Sequence, residues 1–150
     1  MKEYIVLTIV ENTIVFNYRN VSDDEKVFIN KNRIYKDSLF YTLKYYKNNF
    51  KKITDVLHTN ANNNVINSLK IMRLVTFKYV IPLINNFNIE SLVLDFSSTL
   101  DIKDYDLFLG CKTLKNIYCY YMPLGILNKF KDKMIDYTTL NNMLTKYGIE

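Results

Sequence analysis

The sequence predicts an α/β fold: a short, irregular stack of strand–helix units behind an N-terminal β-hairpin and helix, closed by a C-terminal helix. Three observations carry this expectation. The segments Ile66-x-x-Leu69-x-Ile71, Ile89-x-x-Leu92-x-Leu94 and Leu114-x-x-Ile117-x-Cys119 share one apolar pattern and start 23 and 25 residues apart. A period in the twenties is the mark of stacked units in which a strand is followed by a returning segment, and an ordinary α/β domain built of βαβ units has the same spacing. The opening residues are β-branched, which favours strands. Between them and the first repeated segment, apolar residues recur at steps of four and three, the period of an amphipathic helix.

Taken in order, residues 4–10 (Tyr-Ile-Val-Leu-Thr-Ile-Val) and 13–18 read as two strands joined by Glu11-Asn12. That is a two-residue hairpin turn without the favoured Asn-Gly chemistry. Val21 to Lys26 reads as a polar turn, and Val27-Phe28-Ile29 as a short third strand. Leu39, Leu43, Tyr46, Phe50, Ile53 and Leu57 predict one helix over 37–58, capped by Asp37 or Ser38. The Asn-rich run 60–64 ends it. From residue 65 each apolar segment is followed by a mixed stretch suited to a helix: 75–87, interrupted by Pro82, and 99–111, ended by Gly110. After Pro123, residues 124–147 predict a helix with Leu127, Phe130, Met134, Tyr137, Leu140, Leu144 and Tyr147 on its apolar face. The organisation is a single domain over 1–150, with a hairpin and helix cap (1–60), repeat-like units (65–122) and a C-terminal helix (124–150).

Composition narrows the function classes. The chain of 150 residues is 49% hydrophobic and 23% charged, enough apolar material to bury a core. Its 19 Asn and its Lys, Ile and Tyr content match the codon bias of an AT-rich genome, so single Asn and Lys residues carry little functional weight. The net charge of +5 favours acidic partners or nucleic acid. Only Arg19, Arg33 and Arg73 supply guanidinium groups, however, and Arg forks are the usual readers of bases and phosphates. Cys111 and Cys119 form no C-x-x-C, so neither a disulfide framework nor a zinc site is expected. The apolar start ends at Glu11 with no cleavage site, and no stretch reaches the length of a membrane span. The expectation is a cytoplasmic, reducing location with no membrane association.

The repeated motif resembles that of leucine-rich-repeat proteins over residues 65–122. Ile89-Glu90-Ser91-Leu92-Val93-Leu94 is the best unit, and Cys111-Lys112-Thr113-Leu114 resembles the cysteine-containing class, where a Cys precedes the next Leu by three. The resemblance implies a stack of parallel strands with a binding surface on the strand face. The sequence departs from the family at the position three residues beyond each motif. The family has Asn or Cys there, whereas this chain has Leu74, Ser97 and Met122, so a regular Asn ladder is not expected. An irregular repeat behind a strand-rich cap, in an AT-rich chain, is also similar to accessory proteins of large cytoplasmic DNA viruses. That resemblance implies host-protein binding.

No catalytic constellation is expected. His58 is the single histidine, more often a helix-end residue than a catalyst. Asp95, Asp101, Asp104 and Asp106 alternate with Lys103 and suit a solvated turn and helix start better than a metal or acid/base pair. Three glycines and no phosphate-loop or nucleophile motif argue against an enzyme and against a cofactor. The expected function is non-catalytic protein binding by residues flanking the repeat's core positions: Lys70, Met72, Glu90, Val93, Asp95, Tyr118 and Tyr120. The alternatives are nucleic-acid binding by a basic-aromatic helix face over 41–52 (Tyr41, Lys44, Tyr45, Lys47 and Lys51), and a structural subunit of a larger assembly.

Overall fold

β-branched residues at the start of the chain form the expected hairpin. In a computed structural model describing residues 1–95, 102–108, 110–120, 125, 128–129 and 136–139, β1 (Lys2–Val10) and β2 (Thr13–Val21) pair antiparallel over their full lengths. Glu11 makes the turn with φ of 56°, a left-handed backbone that costs a residue with a Cβ roughly 1–2 kcal/mol.

The next two elements correct the sequence reading. Val27, Phe28 and Ile29 are not a strand but part of helix α1 (Asp23–Asn32). Ser22 caps it by accepting from the Glu25 amide, and Asp23, Asp24 and Glu25 place negative charge against the helix N-terminus. Residues 37–58 are not one helix. Leu39–Thr42 is a strand, β3, antiparallel to β1 with Leu39 opposite Leu7 and Thr42 opposite Tyr4. The caps foreseen at Asp37 or Ser38 are therefore displaced. Thr42 caps α2 (Leu43–Asn48) by accepting from the Tyr45 amide, and Asn49 separates α2 from α3 (Phe50–Ala61). From Leu43 onward the apolar stripe holds: Leu43, Tyr46, Ile53 and Leu57 are buried.

The three repeated segments become three parallel strands in register. β4 (Ser68–Arg73), β5 (Ser91–Leu94) and β6 (Asn116–Cys119) align Leu69 with Leu92 and Leu92 with Ile117. The returns between them are a 3₁₀ turn (Phe77–Tyr79) with α4 (Ile81–Asn86), then α5 (Ile102–Phe108). Pro82 lies in the first turn of α4, where its missing N–H costs nothing, so it starts that helix instead of interrupting one. Asp136–Thr139 forms a further parallel strand, β7, beside β6. This overturns the continuous C-terminal helix expected over 124–150. Gly125, Asn128 and Lys129 are helical, and the rest of that expected helix lies outside the described residues.

The result is an α/β molecule on one mixed seven-stranded sheet, ordered β3-β1-β2-β4-β5-β6-β7, antiparallel at the first end and parallel from β2 onward. Side chains alternate between the two faces of a strand. On one face Ile5, Leu7, Ile14, Phe16, Leu69, Ile71, Leu92, Leu94 and Ile117 meet Leu43, Tyr46, Ile53, Leu57, Phe77, Leu83, Ile84 and Phe108 from the helical layer in a single core. On the other face a smaller core of Tyr4, Val21 and Ile29, with Tyr35 and Phe40, binds α1 over the antiparallel end. Tyr4 stacks on Phe40 at 4.6 Å, and the Lys26 ammonium lies 4.3 and 4.0 Å from the two ring centres.

Candidate functional site

The parallel strands begin with a repeated backbone contact. Asn12 O accepts from the amides of Asn67 and Ser68, Asn67 O from Glu90 and Ser91, and Glu90 O from Lys115 and Asn116. Side chains at the same positions also join neighbouring units. Asn12 Nδ2 donates to Asn67 Oδ1 at 2.9 Å, and Lys115 Nζ to Glu90 Oε1 at 2.8 Å. Neighbouring strands are thus tied at their starts. The pattern also recruits β2. Asn12-Thr13-Ile14-x-Phe16 occupies the phase of Asn67-Ser68-Leu69-x-Ile71, with Ile14 opposite Leu69 and Phe16 opposite Ile71. This fourth unit was visible as an in-phase Asn and two apolar positions, but the two-residue turn drew attention to the hairpin alone.

Alternation then sets which side chains share the face opposite the helical layer. One row is Thr13, Ser68, Ser91 and Asn116, and the next is Val15, Lys70, Val93 and Tyr118. All eight are neither fully buried nor fully exposed. Met72, Asp95 and Tyr120 continue the face at the strand ends. Six of the seven residues expected to form a partner surface, Lys70, Met72, Val93, Asp95, Tyr118 and Tyr120, come together here. Glu90 does not join them. It lies before the strand, at the rim, in its pair with Lys115.

The face has its own electrostatics. Asp95 accepts from the Tyr120 hydroxyl at 3.0 Å through Oδ1, and its Oδ2 stands 3.6 Å from the Lys70 ammonium. The hydrogen bond to Asp95, reinforced by the carboxylate's charge, raises the Tyr120 phenol above its ordinary pKa. The Lys70 and Asp95 charges are thereby matched within the surface, leaving Val15, Val93, Tyr118 and Met72 as its apolar content. Met72 occupies a β-bulge: Phe16 pairs with Ile71 and Asn17 with Arg73, so Met72 has no partner on β2. Bulges bend a strand and re-aim its side chains. Beside the bulge, Asn17 Oδ1 is shielded from solvent with no hydrogen-bond partner.

The residues of the alternative, nucleic-acid face are dispersed over three elements. Tyr41 is on β3, Lys44, Tyr45 and Lys47 are on α2, and Lys51 is on α3. A single helix face over 41–52 therefore does not exist. Tyr41 and Tyr45 still stack, with ring centres 5.1 Å apart and planes 18° from parallel. Burial, then the neighbouring Tyr45, raises the Tyr41 phenol. Lys44 borders a hollow with Lys2, Glu3 and Asn20, whereas Lys47 extends over the Tyr79 ring at 5.5 Å.

Of the remaining candidates for chemistry, His58 has structural partners and both cysteines are buried. His58 stacks on Phe87 with ring centres 4.1 Å apart, and Nε2 lies 2.9 Å from Asn86 Oδ1, joining α3 to α4. Cys111 and Cys119 are buried, and burial pushes the Cys111 thiol up to about 11, so it is protonated at neutral pH. Among the described residues no three His, Cys, Asp or Glu side chains converge as metal ligands, and no helix is long and apolar enough to cross a membrane. Asp101 lies outside the described residues. Comparison with protein-family models, curated proteins and solved structures found no match.

Proposed function

We propose that this chain is a non-catalytic protein-interaction module, a short leucine-rich-repeat-like stack that binds its partner with the strand face. The observation that carries the reading is the half-exposed face of the parallel strands. Parallel sheets ordinarily have both faces covered, and here Lys70, Val93 and Tyr118 stand in one row across β4, β5 and β6 with solvent access. Tyr and Met beside a neutralised charge cluster suit the core of an interface, where aromatic residues and Met are enriched and unpaired charges are depleted. A surface that stays half-exposed alone and excludes water in a complex is consistent with every side chain on it. The paired His58 and the protonated Cys111 thiol favour a binding role over nucleophilic catalysis.

The resemblance to accessory proteins of large cytoplasmic DNA viruses makes a host protein the first partner class to test. Affinity purification of the intact chain and of a Val93→Arg/Tyr118→Ala variant, followed by mass spectrometry, compares the two. The expected result is one stoichiometric protein retained by the native chain and lost by the variant, whose circular dichroism is unchanged. Retention of the same protein by both would place binding elsewhere. The Tyr41–Tyr45 stack and the exposed Lys44, Lys47 and Lys51 keep nucleic-acid binding as the second reading. It requires retention on single-stranded DNA that weakens steeply with salt and falls on Lys44→Glu/Lys47→Glu/Lys51→Glu.

A further inference from the structure

On the helical side, four elements meet around a second concavity. Tyr46, Lys47 and Phe50 from the α2–α3 junction, Lys78 and Tyr79 from the 3₁₀ turn, and Pro82 at the start of α4 enclose a groove of about 340 Å³. Its floor is held in place. The Tyr46 hydroxyl donates to the Tyr79 carbonyl at 2.6 Å, and the Phe50 ring meets Tyr46 edge-on at 5.7 Å. Tyr46 is 2% exposed, so this floor is part of the main core and does not collapse when the groove is empty. Its lining combines aromatic residues and Pro82 with two lysines, of which Lys47 lies 5.5 Å from the Tyr79 ring centre. Both lysines are exposed, no carboxylate lines the groove, and among the described residues neither Lys47 nor Lys78 forms an ion pair.

We infer that this groove binds a short acidic peptide segment by seating one aromatic side chain between Phe50, Tyr79 and Pro82, with flanking carboxylates paired to Lys47 and Lys78. Two features select this occupant. The volume lies at the small end of ligand sites, roughly 300–1,000 Å³, which suits one anchoring ring and not a run of bases. The cations are two and local. Lys44, the next along α2, borders a separate hollow, so the groove's cations do not continue along α2 as the cationic track that a phosphate backbone follows. An aromatic anchor in a fixed pocket with charges at its rim is the usual build of a peptide hot spot, the rim charges setting sign preference and the ring setting location.

The test uses the full chain, isotopically labelled, titrated with the acetylated peptide Asp-Glu-Phe-Glu-Asp while amide chemical shifts are followed by NMR. Saturable shifts centred on Lys47, Phe50, Lys78 and Tyr79 are expected. Lys47→Glu/Lys78→Glu weakens binding by about tenfold or more, as expected for reversing two rim charges, and Lys47→Arg/Lys78→Arg restores it. Because both lysines are exposed, these variants keep the native spectrum elsewhere. Replacing the peptide's Phe by Ala abolishes saturation. The inference is overturned if the Phe and Ala peptides bind alike, which reduces the site to diffuse charge. It is equally overturned if no saturation occurs, or if a short single-stranded oligonucleotide saturates the same amides more tightly than the acidic peptide.

Discussion

The two ends of the sheet differ in what covers the face opposite the main helical layer. At the antiparallel end, Tyr4, Val21 and Phe40 on β1, β2 and β3 lie under α1 and Tyr35, and Arg19 binds both the Tyr35 hydroxyl and the Glu25 carboxylate. At the parallel end, the corresponding positions are Lys70, Val93 and Tyr118 and their neighbours, half in solvent. The residues explain the division. Large rings on the antiparallel strands supply an apolar platform for a helix, whereas Ser68, Ser91, Asn116 and the Lys70–Asp95–Tyr120 cluster are polar enough to stand uncovered. A single sheet thus builds a closed, stabilising corner and an open surface from the same hydrogen-bonded frame.

The largest effect is expected where the parallel units depend on one another. Leu92 is 0% exposed and lies in register between Leu69 and Ile117. Leu92→Ala should lower unfolding free energy by about 2–5 kcal/mol in urea titration. A loss within 0.5 kcal/mol of zero would contradict a continuous core. At the closed corner, Ile29→Ala should cost about 2 kcal/mol. Hydrogen exchange should speed up in α1 while β5 and β6 keep their protection. Equal loss of protection in all three would show that the corner and the stack unfold as one unit.

The helical layer under both ends supplies a third test. Burial raises the Tyr46 phenol far above its ordinary value. Above about pH 10 the unfolded chain ionises this phenol and the folded one does not, so native stability falls by about 1.4 kcal/mol per pH unit from this group. Below that pH both states hold the proton and the contribution is flat. Tyr46→Phe removes the hydrogen bond to the Tyr79 carbonyl and is less stable at neutral pH, but its alkaline slope is shallower by this amount. An unchanged slope rules out Tyr46 as the source. The smallest effect belongs to the boundary between the two ends. Asn17→Val replaces an acceptor that is buried without a donor, and should raise stability by about 1 kcal/mol; destabilisation would mean that the Asn17 amide is needed at the bulge.

The in-phase motif made the parallel strands legible, because Ile66, Leu69, Ile71 and their counterparts must all face one core when units stack, and each of these nine residues is buried. The hairpin and the helix before Gly110 were legible for similarly local reasons. Helix α1 was not read from the sequence: its capping signature, Ser22-x-x-Glu25, is followed by the β-branched Val27 and Ile29, which favour a strand. Leu39 misled because it extends the helical spacing of Leu43, Tyr46 and Phe50 by one step. Periodicity reports which residues share an apolar side, not which hydrogen bonds the backbone makes. Of the residues expected on the strand face, Glu90 lies off it, since its position just after the core residue Ile89 does not distinguish the strand face from its rim.

By itself, then, the amino-acid order determined where three strands of the sheet lie and which of their side chains enter the core. Tertiary structure alone decided that residues 39–42 form a strand. β1 offers an open edge there, and unpaired backbone N–H and C=O groups are costly enough to override a helical spacing. It also decided that β2 joins the stack, that 136–139 continues it, and that α1 covers one end of the sheet. Such choices depend on contacts between residues far apart in the chain, which a local pattern does not encode.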